Sequence, residues 1–210
     1  GPRGDLVALF DWVVGEVDDH LKKRGISEKT LLIVTSDNGG QKGANGHRSQ
    51  LEFRGYKSDI WEGGHRVPFI VRWPGKIKPG AVSGELVSLG DLFATFADLS
   101  GAPLPDDAAE DSWSVLSALL GKPTGRPLHE AIVFQAGNGD LALRQGRWKY
   151  IAPQKEGVSG QLYDLDADPR ETRDLAAADP RTIAALAALL DKYRRQGFSR
   201  PMRSRGPGSP

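Results

Sequence analysis

The chain has 210 residues, of which 28 are Lys or Arg and 27 are Asp or Glu, so its formal net charge is +1 with neutral histidines. This near-balance argues against a nucleic-acid-binding module, because neutralising a phosphate backbone requires a clustered excess of cations. The chain has no cysteine, which excludes a disulfide scaffold, a thiolate metal site and a thiol nucleophile within these residues.

The first half of the chain predicts a helix, two strands and a long connection between the strands. Residues 6–22 carry apolar side chains at three- and four-residue steps, which predicts a surface helix packed on another element, with Asp5 as its cap. The run Thr30–Thr35 is continuously apolar or β-branched, which predicts a central parallel strand covered on both faces. A second strand is predicted at 67–73. The connection over 37–66 contains seven glycines and no clear period, and so long a loop is typical of a functional segment.

The second half predicts a different architecture. A helical stripe over 89–99 and a short helix near 113–120 precede a turn-rich segment at 121–127. Four short runs at hairpin spacing then predict a small antiparallel sheet, over residues 131–135, 141–144, 148–151 and 161–165. Asp179 and Pro180 begin a last helix that covers this sheet. We therefore expect an α/β portion over 1–125, a small α+β subdomain over 126–197 and a flexible tail over 198–210.

Asp37 and Asn38 end the first predicted strand, where open α/β sheets place their ligands. Carboxylate and amide oxygens are the donors that Ca²⁺ and Mg²⁺ prefer. Two donors are too few for a closed site, and a simple turn is the alternative interpretation, since Asp, Asn and Gly are common turn residues.

The loop that follows alternates cations, aromatic residues and glycines. Its Lys, Arg and His side chains can direct hydrogen-bond donors to an oxyanion, and its glycines allow close approach of the backbone. A sulfate or phosphate ester is the expected ligand. For each residue the alternative is structural: Arg54 and Arg66 could form surface ion pairs with Glu52, Asp59 or Glu62, and His47 and His65 could make structural hydrogen bonds.

Several motifs occur in a fixed order along the chain: Leu-Leu-Ile-Val-Thr-Ser-Asp-Asn-Gly (31–39), Arg-Gly-Tyr-Lys (54–57), Trp-Glu-Gly-Gly-His-Arg-Val-Pro (61–68), Trp-Pro-Gly (73–75), Asp-Leu-Phe-Ala-Thr (91–95), Gln-Leu-Tyr-Asp-Leu (161–165) and Asp-Pro-Arg-Glu (168–171). Together they resemble the C-terminal half of arylsulfatases. The resemblance implies the C-terminal portion of an alkaline-phosphatase-like, mostly parallel sheet domain followed by a small antiparallel α+β subdomain.

The resemblance also implies roles for particular residues. Asp37 and Asn38 correspond to ligands of a divalent cation, Ca²⁺ or Mg²⁺. Lys57 corresponds to the lysine that contacts the sulfate and stabilises the departing charge, and His47 and His65 are looser candidates for substrate contacts. The implied substrate is a sulfate ester, and the implied activity is sulfuric ester hydrolysis.

Two elements of the arylsulfatase pattern are absent. The family makes its formylglycine nucleophile from a Cys or Ser in a short signature followed by Arg, and it draws further metal-binding Asp residues from nearer its N-terminus. We therefore expect a fragment that is inactive alone and that requires the missing N-terminal half of the catalytic domain. A phosphoester or phosphonate hydrolase of the same superfamily, or a non-catalytic remnant, are the alternatives.

Location can be predicted only in part. No apolar run approaches the roughly 18 residues of a membrane span, and the chain starts with neither an initiating Met nor the apolar stretch of a signal peptide. The family resemblance implies a periplasmic or otherwise extracytoplasmic enzyme.

Overall fold

The structure, a computed structural model, describes residues 1–43, 46–122, 124–155 and 157–202. The chain divides into two units, one formed by Gly1–Ser36, Pro68–Gly84 and Ser117–Pro123 and the other by Asp37–Val67, Glu85–Leu116 and Thr124–Pro210. In chain order the helices and strands are α1 (Pro2–Lys23), β1 (Leu32–Thr35), α2 (Glu62–His65), β2 (Phe69–Arg72), α3 (Asp91–Ser100), α4 (Leu116–Leu119), β3 (Ile132–Gln135), β4 (Leu141–Gln145), β5 (Trp148–Ile151), β6 (Gln161–Asp164) and α5 (Pro180–Gln196).

The helix α1 is confirmed, but its cap and its packing differ from the prediction. It begins at Pro2 with Gly1 as N-cap, because proline's fixed φ suits the first helical position. Asp5 therefore lies in the first turn rather than at the cap. None of the α1 residues is buried against the described residues, and Leu6 and Phe10 are 66% and 53% exposed.

The strand β1 pairs with β2 in the antiparallel direction, with Leu32 opposite Arg72 and Thr35 opposite Phe69. The prediction of a parallel strand covered on both faces was wrong for this pair, since β1 has this one partner among the described residues and is only half-buried. A continuous apolar run indicates burial but carries no information about the direction of the neighbouring strand. That direction depends on the connection, and here the chain returns after the 37–66 loop to run beside β1.

The predicted antiparallel sheet is confirmed. Strands β3 to β6 form a four-stranded meander in chain order, and every neighbouring pair is antiparallel. The helix α5 packs on one face of the sheet, where Leu186 and Leu190 join a core with Leu143 and Leu162. Its predicted cap is also confirmed, because the Asp179 side chain accepts a hydrogen bond from the Thr182 backbone. Together these elements give the mixed α/β fold that the sequence predicts.

The predicted tail over 198–210 is described only to residue 202, and residues 203–210 lie outside the described residues. At its beginning, the Ser199 and Arg200 amides donate to the Glu110 carbonyl at 3.2 and 3.0 Å. The Arg200 guanidinium donates to the carbonyls of Pro105 and Ala108, each at 2.7 Å. The first residues of the predicted tail are therefore held by hydrogen bonds. The predicted boundaries at residues 125 and 197 stay predictions.

Candidate functional site

The turn after β1 lies directly against the loop that ends in α2. The Gly39 amide donates to the Gly64 carbonyl at 2.9 Å, and the Lys57 amide donates to the Gly40 carbonyl at 2.9 Å. Glycine is required here, because a Cβ on Gly39 would lie 1.9 Å from the Gly63 carbonyl oxygen. The backbones of the two predicted functional segments are therefore in contact.

The predicted metal ligands stand at the start of this turn. Asp37 is exposed and Asn38 is half-buried. The Asn38 amide nitrogen donates to the Gly39 carbonyl at 3.0 Å, which directs that nitrogen into the turn. Their carboxylate and carboxamide oxygens fit the preference of Ca²⁺ and Mg²⁺ for hard donors. The described residues contain no cluster of three or more His, Asp or Glu side chains that could enclose a metal ion, so any ion held here would need further ligands.

Lys57 is anchored by its backbone and exposed at its side chain. Its amide donates to Gly40, two residues beyond Asn38, while the side chain is open to solvent. The structure thus brings the Lys57 backbone beside the turn that carries Asp37 and Asn38.

The two candidate histidines lie in different environments. His47 is exposed. The His65 ring packs on Phe134 of β3 with ring centroids 5.3 Å apart, and its Nε2 is buried without a hydrogen-bond partner. Burial lowers the pKa of His65, and the positive charge of Lys149 lowers it further. The role of both histidines in substrate binding stays a prediction.

Two arginines of the loop, Arg54 and Arg66, are engaged by neighbouring groups. The Arg54 guanidinium lies 3.4 Å from the centroid of the Trp61 ring and donates to the Glu171 carbonyl at 2.9 Å. Arg66 lies 3.7 Å from the Glu62 carboxylate, which agrees with the ion-pair alternative for that residue. These contacts fix Arg54 against Trp61 and Glu171 and place Arg66 beside Glu62.

Sequence reasoning missed a buried ionic network behind the loop. Lys149 and Glu171 are fully buried and Glu62 is 2% exposed. The Lys149 ammonium lies 3.1 Å from Glu62 Oε1 and 2.8 Å from Glu171 Oε1, and the Glu62 amide donates to Glu171 Oε2 at 2.7 Å. Burial raises the pKa of Glu171, and the adjacent Lys149 ammonium opposes this shift. No local pattern marked this network, because charged residues are usually exposed and Glu62 lies 87 positions from Lys149 along the chain.

A second buried pair was also missed. The Asp91 carboxylate lies 2.8 Å from His129 Nε2 and accepts hydrogen bonds from the backbones of Ser88 and Trp113. Because Asp91 and His129 are both buried and these contacts fill both carboxylate oxygens, the pair ties α3 to the segment before β3. These hydrogen bonds thus join the pair to Ser88 and Trp113, outside the segment from Asp37 to Lys57.

A cleft of about 500 Å³ begins one residue beyond Lys57. It runs from Ser58 and Trp61 to the β3–β4 turn and the β5–β6 connection, and the Gly137 amide fixes that turn by donating to the Ser58 carbonyl at 2.9 Å. Its polar lining includes Asp59, Asn138, Asp140, Gln154, Lys155 and Gln161. The cleft can accept a ligand that offers many hydrogen-bonding groups.

Two family patterns match the chain. The pattern described as "Sulfatase" matches residues 2–102, and the pattern described as "N-sulphoglucosamine sulphohydrolase, C-terminal" matches residues 55–196. Together they cover both predicted functional segments and all of the four-stranded sheet.

Individual proteins agree with these matches. The N-acetylgalactosamine-6-O-sulfatase of Bacteroides thetaiotaomicron is 39% identical over an alignment that covers 92% of this chain and 42% of the relative. The steryl-sulfatase of Homo sapiens is 39% identical over an alignment that covers 91% of this chain and 39% of the relative. The chain therefore spans less than half the length of these curated relatives.

Solved structures show the same fold. A structure from a study of glycosaminoglycan metabolism by Bacteroides thetaiotaomicron superposes with a TM-score of 0.83 at 39% identity and covers 93% of this chain and 45% of that one. A sulfatase from Pseudoalteromonas sp. gives a TM-score of 0.76 at 25% identity, with 92% and 42% covered. Within the described parts of the chain, no helix has the length and apolar character needed to cross a membrane.

Proposed function

The chain belongs to the sulfatase family, and from that premise we propose that it carries part of the active site of an enzyme that hydrolyses sulfuric esters. The observation that carries the proposal is the backbone contact between the Asp37–Gly40 turn and the loop of Lys57. An ester hydrolase needs positive charge close to where negative charge develops, and this contact joins a pair of metal-type donors to an exposed lysine.

Each residue then has a defined task. The Lys57 ammonium binds the sulfate group by charge-assisted hydrogen bonds and stabilises the oxygen that departs. The oxygens of Asp37 and Asn38 hold part of a divalent cation site, for Ca²⁺ or Mg²⁺. When bound, such a cation supplies Lewis acidity toward the sulfuryl oxygens. His47 and His65 are proposed as further substrate contacts.

The proposed site is completed by residues outside this chain. The nucleophile and the remaining metal ligands would come from an N-terminal half of the catalytic domain, and the chain alone would be inactive. The coverage of relatives supports this proposal, since the chain matches only 42% of the N-acetylgalactosamine-6-O-sulfatase. An extracytoplasmic location is part of the same proposal.

The cleft that begins at Ser58 favours a sulfated saccharide as substrate. The relatives differ in the group that carries the sulfate, because one is a sulfatase of an N-acetylated sugar and another is a steryl-sulfatase. A sterol would require a mainly apolar cleft, whereas this cleft contains paired amide and carboxylate groups: Asn138 donates to Asp140 at 2.9 Å. Sugar hydroxyls can donate to and accept from such groups.

The test compares the full-length wild-type enzyme with a Lys57→Met variant, on a sulfated N-acetylhexosamine in the presence of Ca²⁺. We expect kcat/KM to fall by about 10²–10³-fold, as for removal of other oxyanion donors. Lys76→Met, which changes another exposed lysine, serves as the control and should leave kcat/KM unchanged.

Three outcomes would each contradict a part of the proposal. Full activity of Lys57→Met would remove the role of this lysine, and faster turnover of a matched phosphate monoester would favour a phosphoester hydrolase. Turnover by the isolated 210-residue chain would show that the site needs no further half.

A further inference from the structure

We infer that Lys149 and Glu171 are positioning residues of the proposed active site: their buried ionic network fixes the Lys57 loop against the turn that carries Asp37 and Asn38. This inference rests on the proposed function for the identity of the site. It adds two residues that lie on the small sheet and in the loop after it, far from Lys57 along the chain.

The first step is the attachment of the network to the loop. Glu171 contacts the loop twice: its carboxylate accepts from the Glu62 amide at 2.7 Å and its carbonyl accepts from Arg54 at 2.9 Å. Lys149 holds the Glu62 side chain at 3.1 Å. Both ends of the segment from Arg54 to Glu62, with Lys57 between them, are therefore bound to Glu171, and the Glu62 end is also bound to Lys149.

The second step leads from the loop to the turn. Directly after Glu62, a Cβ on Gly63 would lie 2.4 Å from the Gly55 carbonyl oxygen, so the two ends of the loop touch. On its other side, Gly64 accepts the hydrogen bond from Gly39. A displacement of Glu62 would therefore move the Asp37 turn and the Lys57 loop relative to one another.

The energetics favour a positioning role over a simple gain in stability. A buried ion pair recovers only part of the cost of removing its charges from water, and apolar replacements are often as stable. The Lys149 ammonium between two carboxylates does fix geometry, since moving it away from either one would leave a buried charge uncompensated. Glu171 also adopts a φ of 53°, a left-handed conformation that is unfavourable for a side chain of this kind. Glu171 keeps this strained backbone conformation at the position where it accepts hydrogen bonds from Arg54 and Glu62.

The test measures amide hydrogen exchange in the full-length protein and in Lys149→Met. We expect exchange at Gly39, Lys57 and Gly63 to accelerate by at least about tenfold, because loss of the central cation loosens the loop locally. Exchange at Leu143 and Leu162, in the centre of the sheet, should change by less than about twofold. His129→Asn disrupts a different buried pair and should leave Gly39 and Lys57 at the wild-type rate.

A second variant keeps the inference testable if Lys149→Met fails to fold. Lys149→Met leaves the buried Glu171 carboxylate without its neighbouring cation, whereas Lys149→Met/Glu171→Gln removes that negative charge as well. In both variants Glu62 stays near Arg144 and Arg66. We expect the double variant to show the same local acceleration. Unchanged exchange at Gly39 and Lys57 in the double variant, or equal acceleration in the centre of the sheet, would overturn the inference.

Kinetics separate this inference from the proposed function. If the wild-type enzyme hydrolyses a sulfate ester, kcat of the double variant should fall by about a hundredfold, as misplacement of reacting groups by about 1 Å can cause. Wild-type kcat and KM in that variant would overturn positioning while leaving the sulfatase proposal intact. A wild-type protein without sulfatase activity would instead overturn the proposed function, and the exchange result would still decide whether the network fixes the loop.

Discussion

The four-stranded sheet and the β1–β2 pair bury their apolar residues to very different degrees. Leu143 and Leu162 of the sheet are completely buried, whereas Ile70 of β2 is 61% exposed and Leu9 of α1 is 53% exposed. Short hairpins give each strand of the sheet its neighbour, and α5 covers one face. The β1–β2 pair is joined by a long connection and has no comparable cover among the described residues. The apolar core is thus complete in the sheet, where neighbouring strands follow one another along the chain.

The largest expected effect on the free energy of unfolding comes from truncating a buried leucine, with an exposed leucine as the control. Leu162→Ala removes a fully buried side chain and should lower the free energy of unfolding by about 2–5 kcal/mol, through lost burial and the cavity that remains. Leu9→Ala removes an exposed side chain and should change it by less than about 0.5 kcal/mol. Urea unfolding of the 210-residue chain measures both, and similar losses would contradict the exposure of α1 in this chain.

A pair of glycine substitutions gives the next effect. Gly39→Ala places a Cβ against the Gly63 carbonyl, so the turn must shift, and we expect a loss of about 1–3 kcal/mol together with reduced activity. Gly15→Ala lies in α1 with no atom within 4 Å of the new Cβ, and should gain about 0.5–1 kcal/mol through helix propensity. Thermal unfolding and the sulfatase assay measure the pair. Tolerance of Gly39→Ala would contradict the close contact between turn and loop.

The smallest effect is a pH dependence. The pKa of His65 is lowered by burial and by Lys149, so the unfolded chain binds a proton more readily than the folded one. Stability should therefore be lost as the pH falls through the ordinary histidine range. Wild-type protein should lose more stability between about pH 7.5 and about pH 5.5, either side of the ordinary value near 6.5, than His65→Gln does. His47→Gln, at an exposed site, is the control, and an unchanged pH dependence in His65→Gln would contradict burial of the ring.

The sequence predicted most of the elements, for reasons visible in particular residues. The spacing of the runs from Ala131 to Leu165 indicated hairpins, and the sheet formed as predicted because hairpin partners are neighbours in sequence. The N-terminal cap of α5 was predicted correctly from Asp179 and Pro180. The direction of β1 was predicted wrongly, since its partner β2 lies beyond a long connection that the local pattern does not describe.

In the candidate site, too, residues in local motifs were predicted and contacts between distant residues were not. Asp37, Asn38 and Lys57 were predicted from motifs, and the structure adds that the Lys57 amide donates to the Gly40 carbonyl, two residues beyond Asn38. Nothing in the sequence indicated that Lys149 would be fully buried between two carboxylates. Charged residues are usually exposed, so an exposed Lys149 was the default expectation.

The sequence by itself determined the helices other than α2, the hairpins of the small sheet and the resemblance to sulfatases, because each depends on residue patterns within a short stretch of chain. Only the tertiary structure decided which charges are buried together and which glycines touch. Glu62 and Glu171 meet although they are 109 positions apart, and Gly39 meets Gly63 across the long loop. Such contacts arise from the packing of distant segments, where the space left for each side chain depends on all of the others.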